Sequence, residues 1–279
     1  MSKLNPLKIL PINPEKTNRK KIKKLHPNLP SPYGLFIMII APIKCGKSVT
    51  ISNLCLNDNF YNDIFRDIHI CSNTISHDSS SRFLYDKYKN TCYDTYDDGI
   101  IKTFLKTQKN RMDNGDSDTS FAWVFDDILG SISKGRKGGE ANFFATRFRH
   151  FANRGDPTMM IFSTQKYLSI NSIIRNQANV ILISGRIGSA REIQAIEQDY
   201  ADIVGGAANF RKMLSEVRKH PYSWLVIRLD KGSGVEAWLN FDKKLYPSND
   251  APSGGSIKSE MKNIIEERKI DNEENMNLM

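Results

Sequence analysis

Long hydrophobic runs are scarce in this chain. The longest, from Leu35 to Pro42, falls far short of the ~20 apolar residues a membrane-spanning helix needs. No apolar stretch of the signal-peptide kind follows the charged N-terminus. Cysteine is sparse too: Cys45, Cys55, Cys71 and Cys92 form no CxxC pair and have no histidine at metal-ligand spacing. They sit in or beside apolar runs, which suits reduced, buried thiols in a reducing compartment. Together these absences lead to the expectation of a soluble, intracellular protein. No internal repeat is visible, and there is no Asn-Lys-x-Asp segment of the kind a guanine-reading GTPase carries.

Positive charge, by contrast, is in excess. Forty Lys and Arg against 31 Asp and Glu leave a net charge of +9 over 279 residues. That balance attracts polyanions, so nucleic acid or an anionic membrane surface is favoured as a partner, although a soluble enzyme that is merely basic fits equally well. Much of the excess lies in residues 1–33. There Lys3, Lys8, Lys16, Arg19, Lys20, Lys21, Lys23 and Lys24 face a single acid, Glu15, among scattered prolines. The stretch reads as a mobile basic arm that contacts DNA or a capsid lining, or else solubilises the chain.

Residues 34–246 read as one α/β domain. Leu35–Ile40 is a buried strand by its β-rich apolar run, with a helix expected from Lys47 to Leu56. Further strands are expected at Ile68–Cys71, Phe121–Phe125, Met159–Ser163, Val180–Ile183, Tyr222–Leu229 and Val235–Phe241. Helices are expected at Arg82–Lys89, Asp97–Arg111, Glu140–Asn153 and around Ile170–Asn176. Strands alternating with helices argue for a mainly parallel sheet flanked by helices on both faces. From Pro247 onward Pro, Ser and Gly dominate, and residues 247–279 read as a flexible linker and tail.

The first strand runs directly into Ala41-Pro42-Ile43-Lys44-Cys45-Gly46-Lys47-Ser48, followed by Val49 and the helix. This is the P-loop pattern GxxxxGK[ST] with alanine in the first glycine position. The chemistry requires the arrangement. Backbone N–H groups at a helix N-terminus cradle phosphates. Gly46 permits close backbone approach, Lys47 reaches the β- and γ-phosphates, and Ser48 offers a hydroxyl to Mg²⁺. Residues 41–49 are therefore the expected ATP-binding segment.

Phe121–Phe125 ends in Asp126-Asp127, the Walker B form. Two acids at a buried strand end are costly unless a cation or donor compensates them. Asp126 is the expected partner of the Mg²⁺ shell and Asp127 the general base that polarises water; alone, such acids also occur as helix caps. A later strand ends in Thr164-Gln165, where Gln165 is placed to sense the γ-phosphate or orient the attacking water, or else lies in a surface turn.

These motifs, taken in order, resemble the poxvirus-type genome-packaging ATPases of the FtsK–HerA superfamily, found in large DNA viruses and virophages. The resemblance rests on Ala41–Ser48, Val124–Asp127, Arg149-His150 with Asn153, Ser163–Gln165, and Arg175-Asn176, and it covers roughly residues 34–240. It implies a RecA-like sheet with an additional strand between the P-loop and Walker B strands, assembled as a homo-oligomeric ring. It also implies an arginine supplied by the neighbouring subunit, with Arg147, Arg149, Arg175 and Arg186 as candidates. Arg175 and Arg149 fall in the family-like segments, although pairing with acids or DNA phosphates is open for each. The implied activity is Mg²⁺- and ATP-dependent translocation of double-stranded DNA through backbone contacts, packaging a genome in a virion or host cytoplasm. A capsid or membrane protein of the virion is a further implied partner. Asp127 departs from the glutamate common in the wider superfamily. The basic, Gly-rich Ser133–Gly139 loop is a candidate pore contact or an ordinary surface loop. A HerA-like helicase or mobilisation ATPase is the main alternative, and a nucleotide switch or kinase a more distant one.

Overall fold

The computed structural model describes residues 22–128, 132, 139–229 and 236–246. Nine strands form one sheet: β1 (Tyr33–Ile40), β2 (Asp67–Ser72), β3 (Cys92–Tyr93), β4 (Phe121–Asp126), β5 (Thr158–Thr164), β6 (Val180–Ser184), β7 (Trp224–Arg228), β8 (Glu236–Leu239) and β9 (Lys243–Leu245). Their spatial order is β3-β2-β4-β5-β1-β6-β7-β8-β9. The first six strands run parallel. The last three add on antiparallel at one side of the sheet; β7 follows β6 only after α6 and α7, whereas β8 and β9 are joined by a short turn. The expected α/β fold with a mainly parallel sheet is therefore the observed one. β5 lies between the P-loop strand β1 and β4, the strand that ends in the acidic pair, as the resemblance implied.

Among the described residues seven α-helices cover the sheet: α1 (Lys47–Leu56), α2 (Arg82–Tyr88), α3 (Asp98–Asp113), α4 (Gly139–Arg147), α5 (Ser172–Arg175), α6 (Ala190–Tyr200) and α7 (Ala207–Arg218). Because successive strand residues face opposite ways, β1 feeds two cores. Phe36, Met38 and Ile40 point toward α3–α7, packing with Phe104, Phe144, Ile174, Ile196 and Phe210. Leu35, Ile37 and Ile39 point toward α1 and α2, packing with Leu54, Tyr61 and Leu84. Each such fully buried side chain contributes about 1.5–3 kcal/mol of hydrophobic stabilisation. Burial on both faces is why these strands read as continuous apolar runs rather than as alternating ones.

Three expectations change. The helix expected over Glu140–Asn153 stops at Arg147 and continues as a 3-10 turn over Phe148–His150, which still buries Phe148 against β1 and β5. Helices α6 and α7 were not expected, although Ser189 and Glu192 sit at capping-box spacing and Ser189 accepts a hydrogen bond from Glu192 N. The third concerns the basic arm placed at 1–33, because residues 22–32 lie against the domain. Lys23 Nζ donates to Asp58 O (2.9 Å), Tyr61 Oη to Pro30 O (2.9 Å) and Arg228 to Asn28 O (2.9 Å), while Leu29 is buried. Leu29 and the Asn28 and Pro30 carbonyls thus gain partners that a free arm would leave to water. Residues 1–21, the tail from Pro247 and the basic loop 133–138 lie outside the described residues.

One feature of the core titrates. On β2, His69 is stacked 4.8 Å from Trp123 and 6.2 Å from Tyr93, and its Nδ1 is 3.3 Å from Tyr93 Oη. Burial lowers its pKa to about 4; Asp67 raises it and Arg111 lowers it, both by lesser amounts. The folded value lies below the ordinary 6.5, so the unfolded chain takes up the proton first as pH falls. Stability is thus fully present above about pH 6.5 and declines down to about pH 4, by about 3 kcal/mol in all. Urea unfolding at pH 8, 6 and 5 is expected to show this slope in the wild type and to show it largely lost in His69→Phe.

Candidate nucleotide-binding site

Parallel strands present their C-terminal ends at one edge of the sheet, and the motif residues gather there. β1 ends at Ile40, and Ala41 N donates to Thr164 O (3.0 Å), so the loop departs from a point fixed by β5. The turn that follows uses left-handed backbone at Lys44 (φ 58°) and Gly46 (φ 90°). Glycine takes this conformation freely, whereas a residue with a Cβ pays roughly 1–2 kcal/mol. Ala41 is not among the positive-φ residues, so the missing first glycine costs nothing there. Gly46 caps α1 without a side-chain partner, leaving the helix N–H groups directed at the cleft as a ready anion site.

Lys47 is 8% exposed. Its Nζ donates to Ala41 O (3.2 Å) and lies 3.2 Å from Asp127 Oδ2. The same carboxylate oxygen accepts from Gln165 Nε2 (2.9 Å). Three residues singled out separately in the sequence thus form one hydrogen-bonded cluster. Asp127 holds φ 51°, a strained conformation of the kind that gathers at functional sites. Its own N–H donates to Ser163 O (3.0 Å), so β5 holds it in place.

Asp126 is 9% exposed. Ser72 Oγ donates to its Oδ2 (3.3 Å), whereas Oδ1 is buried with no hydrogen-bond partner. Burial raises its pKa and the neighbouring Asp127 adds to this; the nearby Ser163 hydroxyl, Lys47 and Ser72 act in the other direction. An orphaned, buried carboxylate oxygen on a residue that lines the same cleft as Ser48 has the chemistry to fit a divalent cation such as Mg²⁺.

The cleft these groups surround measures about 420 Å³ and is lined by residues 42–49, Asp126, Asp127 and Gln165. It also has a rim that sequence reasoning missed: Thr74, Asp78 and Ser80, from the segment after β2. Burial pushes the Asp78 carboxyl up, but hydrogen bonds from Ser48, Ser80 and Ser81 outweigh it and hold the group below the usual carboxylate range. The Asp-Ser-Ser-Ser run that caps this turn was the legible signal; its position beside Ser48 was not.

The arginines behave differently, and none of Arg147, Arg149, Arg175 and Arg186 lines the cleft. Arg175 pairs with Asp199 (3.1 Å) and lies 4.6 Å over the Tyr167 ring. Arg147 lies 4.6 Å over Phe143. Arg149 is exposed, contacts His150 (3.4 Å), and packs beside Gly34 at the start of β1. That is one strand length, roughly 20 Å, from the chain's own P-loop. Asn153 serves the fold: its N–H donates to Thr119 Oγ1 (2.6 Å) and its side chain to Asp116 O (2.7 Å).

Because Asp126 is buried without full compensation, Asp126→Asn is expected to raise stability in EDTA by about 1–2 kcal/mol, measured by urea unfolding. Adding Mg²⁺ with a non-hydrolysable ATP analogue is expected to raise the melting temperature of the wild type more than that of the variant.

No family model matches this chain, and no curated protein matches it. Solved structures do. The DNA-packaging ATPase B204 of Sulfolobus turreted icosahedral virus is 16% identical, with a TM-score of 0.50 over 77% of this chain and 100% of that one. The genome-packaging NTPase B204 of Sulfolobus turreted icosahedral virus 2, in complex with sulfate, is 16% identical, with a TM-score of 0.51 over 77% and 99%. Its complex with AMPPCP gives 16%, 0.50, 77% and 100%. At this identity the likeness establishes the fold, that of a P-loop NTPase with a mostly parallel sheet flanked by helices.

Proposed function

We propose that this chain is an ATP-hydrolysing motor that translocates double-stranded DNA and packages a viral genome. The observation that carries the reading is the convergence of Lys47, Asp126, Asp127 and Gln165, from three separated segments, on one cleft at the C-terminal edge of β1, β4 and β5. The shared fold with viral packaging ATPases and the excess of 40 basic over 31 acidic residues support the choice of DNA as partner.

In the proposed mechanism, residues 41–49 bind the ATP phosphates, with Lys47 exchanging its contact to Asp127 for the β- and γ-phosphates. Release from Lys47 frees Asp127 to accept hydrogen bonds from the attacking water, and Gln165, already bonded to Asp127, orients that water. Ser48 and Asp126 would hold Mg²⁺, which when bound supplies neutralisation of charge on the phosphate oxygens. In a homo-oligomeric ring, an arginine of the adjacent copy would stabilise the transferring phosphoryl group. Arg149 suits that role better than Arg175, because Arg175 is committed to Asp199 and Tyr167 within its own chain. The basic residues preceding Ile22, the 133–139 loop and the tail after Tyr246 are proposed as contacts to DNA backbone or to a capsid or membrane protein of the virion. A virion or host-cytoplasm location follows from this reading. Among the described residues no helix is long and apolar enough to cross a membrane.

ATPase rate with and without double-stranded DNA tests the proposal. The wild type is expected to be DNA-stimulated, and Lys47→Ala and Asp127→Asn to lose at least about 100-fold. Hydrolysis indifferent to DNA would count against a motor. DNA-stimulated hydrolysis without any capsid-protein interaction would favour a HerA-like helicase or mobilisation ATPase.

A further inference from the structure

One aromatic side chain beside the P-loop has no part in the chemistry above. Tyr222 lies in the turn between α7 and β7 and is 61% exposed. Its φ of 55° is an outlier for a bulky residue, of the kind retained where the side chain has a task. The ring stands next to the loop: a Cβ built on Gly46 would lie 3.8 Å from Tyr222 Cδ1. Two more large apolar side chains are exposed in the same neighbourhood, Ile43 and Val49, and both line the cleft.

The ring is backed by a fixed support. The Arg186 guanidinium lies 5.0 Å from its centroid, a cation–π arrangement. Arg186 follows β6, and the backbone on either side of it is clamped by Arg218, whose Nε donates to Gly185 O (3.0 Å) and whose Nη2 donates to Ile187 O (3.2 Å). Arg186 N in turn donates to Ser184 Oγ (3.2 Å). A Cβ on Gly185 would sit 3.1 Å from Arg218 Cα and N, so glycine is what lets this loop lie against the end of α7. An exposed aromatic face beside a cation whose flanking backbone is held in place is positioned to stack a flat ligand.

We infer that Tyr222, backed by Arg186, is the base platform of the nucleotide site, on which the purine of a nucleoside triphosphate stacks near Val49 while the phosphates occupy residues 41–48. This rests on the nucleotide reading above and extends it to the base. Stacking is tolerant of base identity, because every base has a π-face, so the platform adds affinity with little discrimination between adenine and guanine. It also assigns Arg186 to the nucleotide site of its own chain rather than to a neighbour's.

The test is calorimetric titration of the full chain, in Mg²⁺, with ATPγS and separately with inorganic tripolyphosphate. Tyr222→Ala is expected to weaken ATPγS binding about tenfold and to change tripolyphosphate binding by less than about twofold; Tyr222→Phe is expected to keep ATPγS binding within about threefold of the wild type. Because the ring is exposed, melting temperatures of both variants should stay close to that of the wild type. Unchanged ATPγS binding in Tyr222→Ala would overturn the inference, as would equal loss of both ligands, which would mean that the ring supports the loop and not the base. A wild type that binds tripolyphosphate as tightly as ATPγS would overturn the platform and leave the P-loop reading intact. Binding of neither ligand would overturn both.

Discussion

The structure depends on the parallel pairing of β5 between β1 and β4. Ile40 is registered against Thr164 on one side, and Asp126 against Ser163 on the other. Two consecutive residues of β5 therefore set the relative height of the P-loop and the acidic pair. Ala41 N and Asp127 N both donate to carbonyls of this same stretch, at Thr164 and Ser163. A slip of one residue would turn the strand's side chains to the wrong faces. It would also carry Gln165 away from Asp127. The packing of both faces opposes such a slip, since it would exchange the side chains fitted to one core with those fitted to the other.

Around this register the protein tolerates several local costs. Lys44 and Asp127 hold positive φ and line the cleft, and Tyr222 holds it beside Gly46. Asp126 retains a buried oxygen without a partner. A sequence optimised for stability alone would place glycine at the strained positions and a neutral residue at Asp126. Their clustering at one edge, against two well-packed cores on either face of the sheet, separates the part of the molecule built for binding from the part built for rigidity. Two of the cysteines belong to the second part: Cys55 and Cys71 are buried free thiols whose pKa values burial raises to about 12, which leaves them inert.

Much of this was legible from residue order. The first strand, loop and helix follow from an apolar run, a glycine before Lys47-Ser48, and helical spacing thereafter, all within a few residues of one another. The strand Phe121–Asp126 was equally clear, because five consecutive apolar residues before the acidic pair mark a strand buried on both faces. Less legible was the region from Gly185 to Ser223. There α6 and α7 carry many charged residues on their outer faces, although Phe210, Met213, Leu214 and Val217 of α7 do sit at the i, i+3, i+4, i+7 spacing of a helix; the signal was present and went unread. The expected helix over Glu140–Asn153 ended early because its last turn tightens, a detail that periodicity does not resolve.

What the sequence determined by itself was local: where strands and the phosphate loop begin, which residues carry charge, and that the sheet is mostly parallel. Tertiary structure alone decided which of those pieces meet. It joined Lys47, Asp127 and Gln165, added Thr74, Asp78 and Ser80 to the rim, and brought Tyr222 beside Gly46. It also committed Arg175 to Asp199, between α5 and α6 and outside the cleft. The reason is that local periodicity reports the environment of each segment, apolar or wet, helical or extended. Strand order and register are set by contacts between residues far apart in the chain, such as Lys47 and Asp127, and no single segment encodes its distant partner.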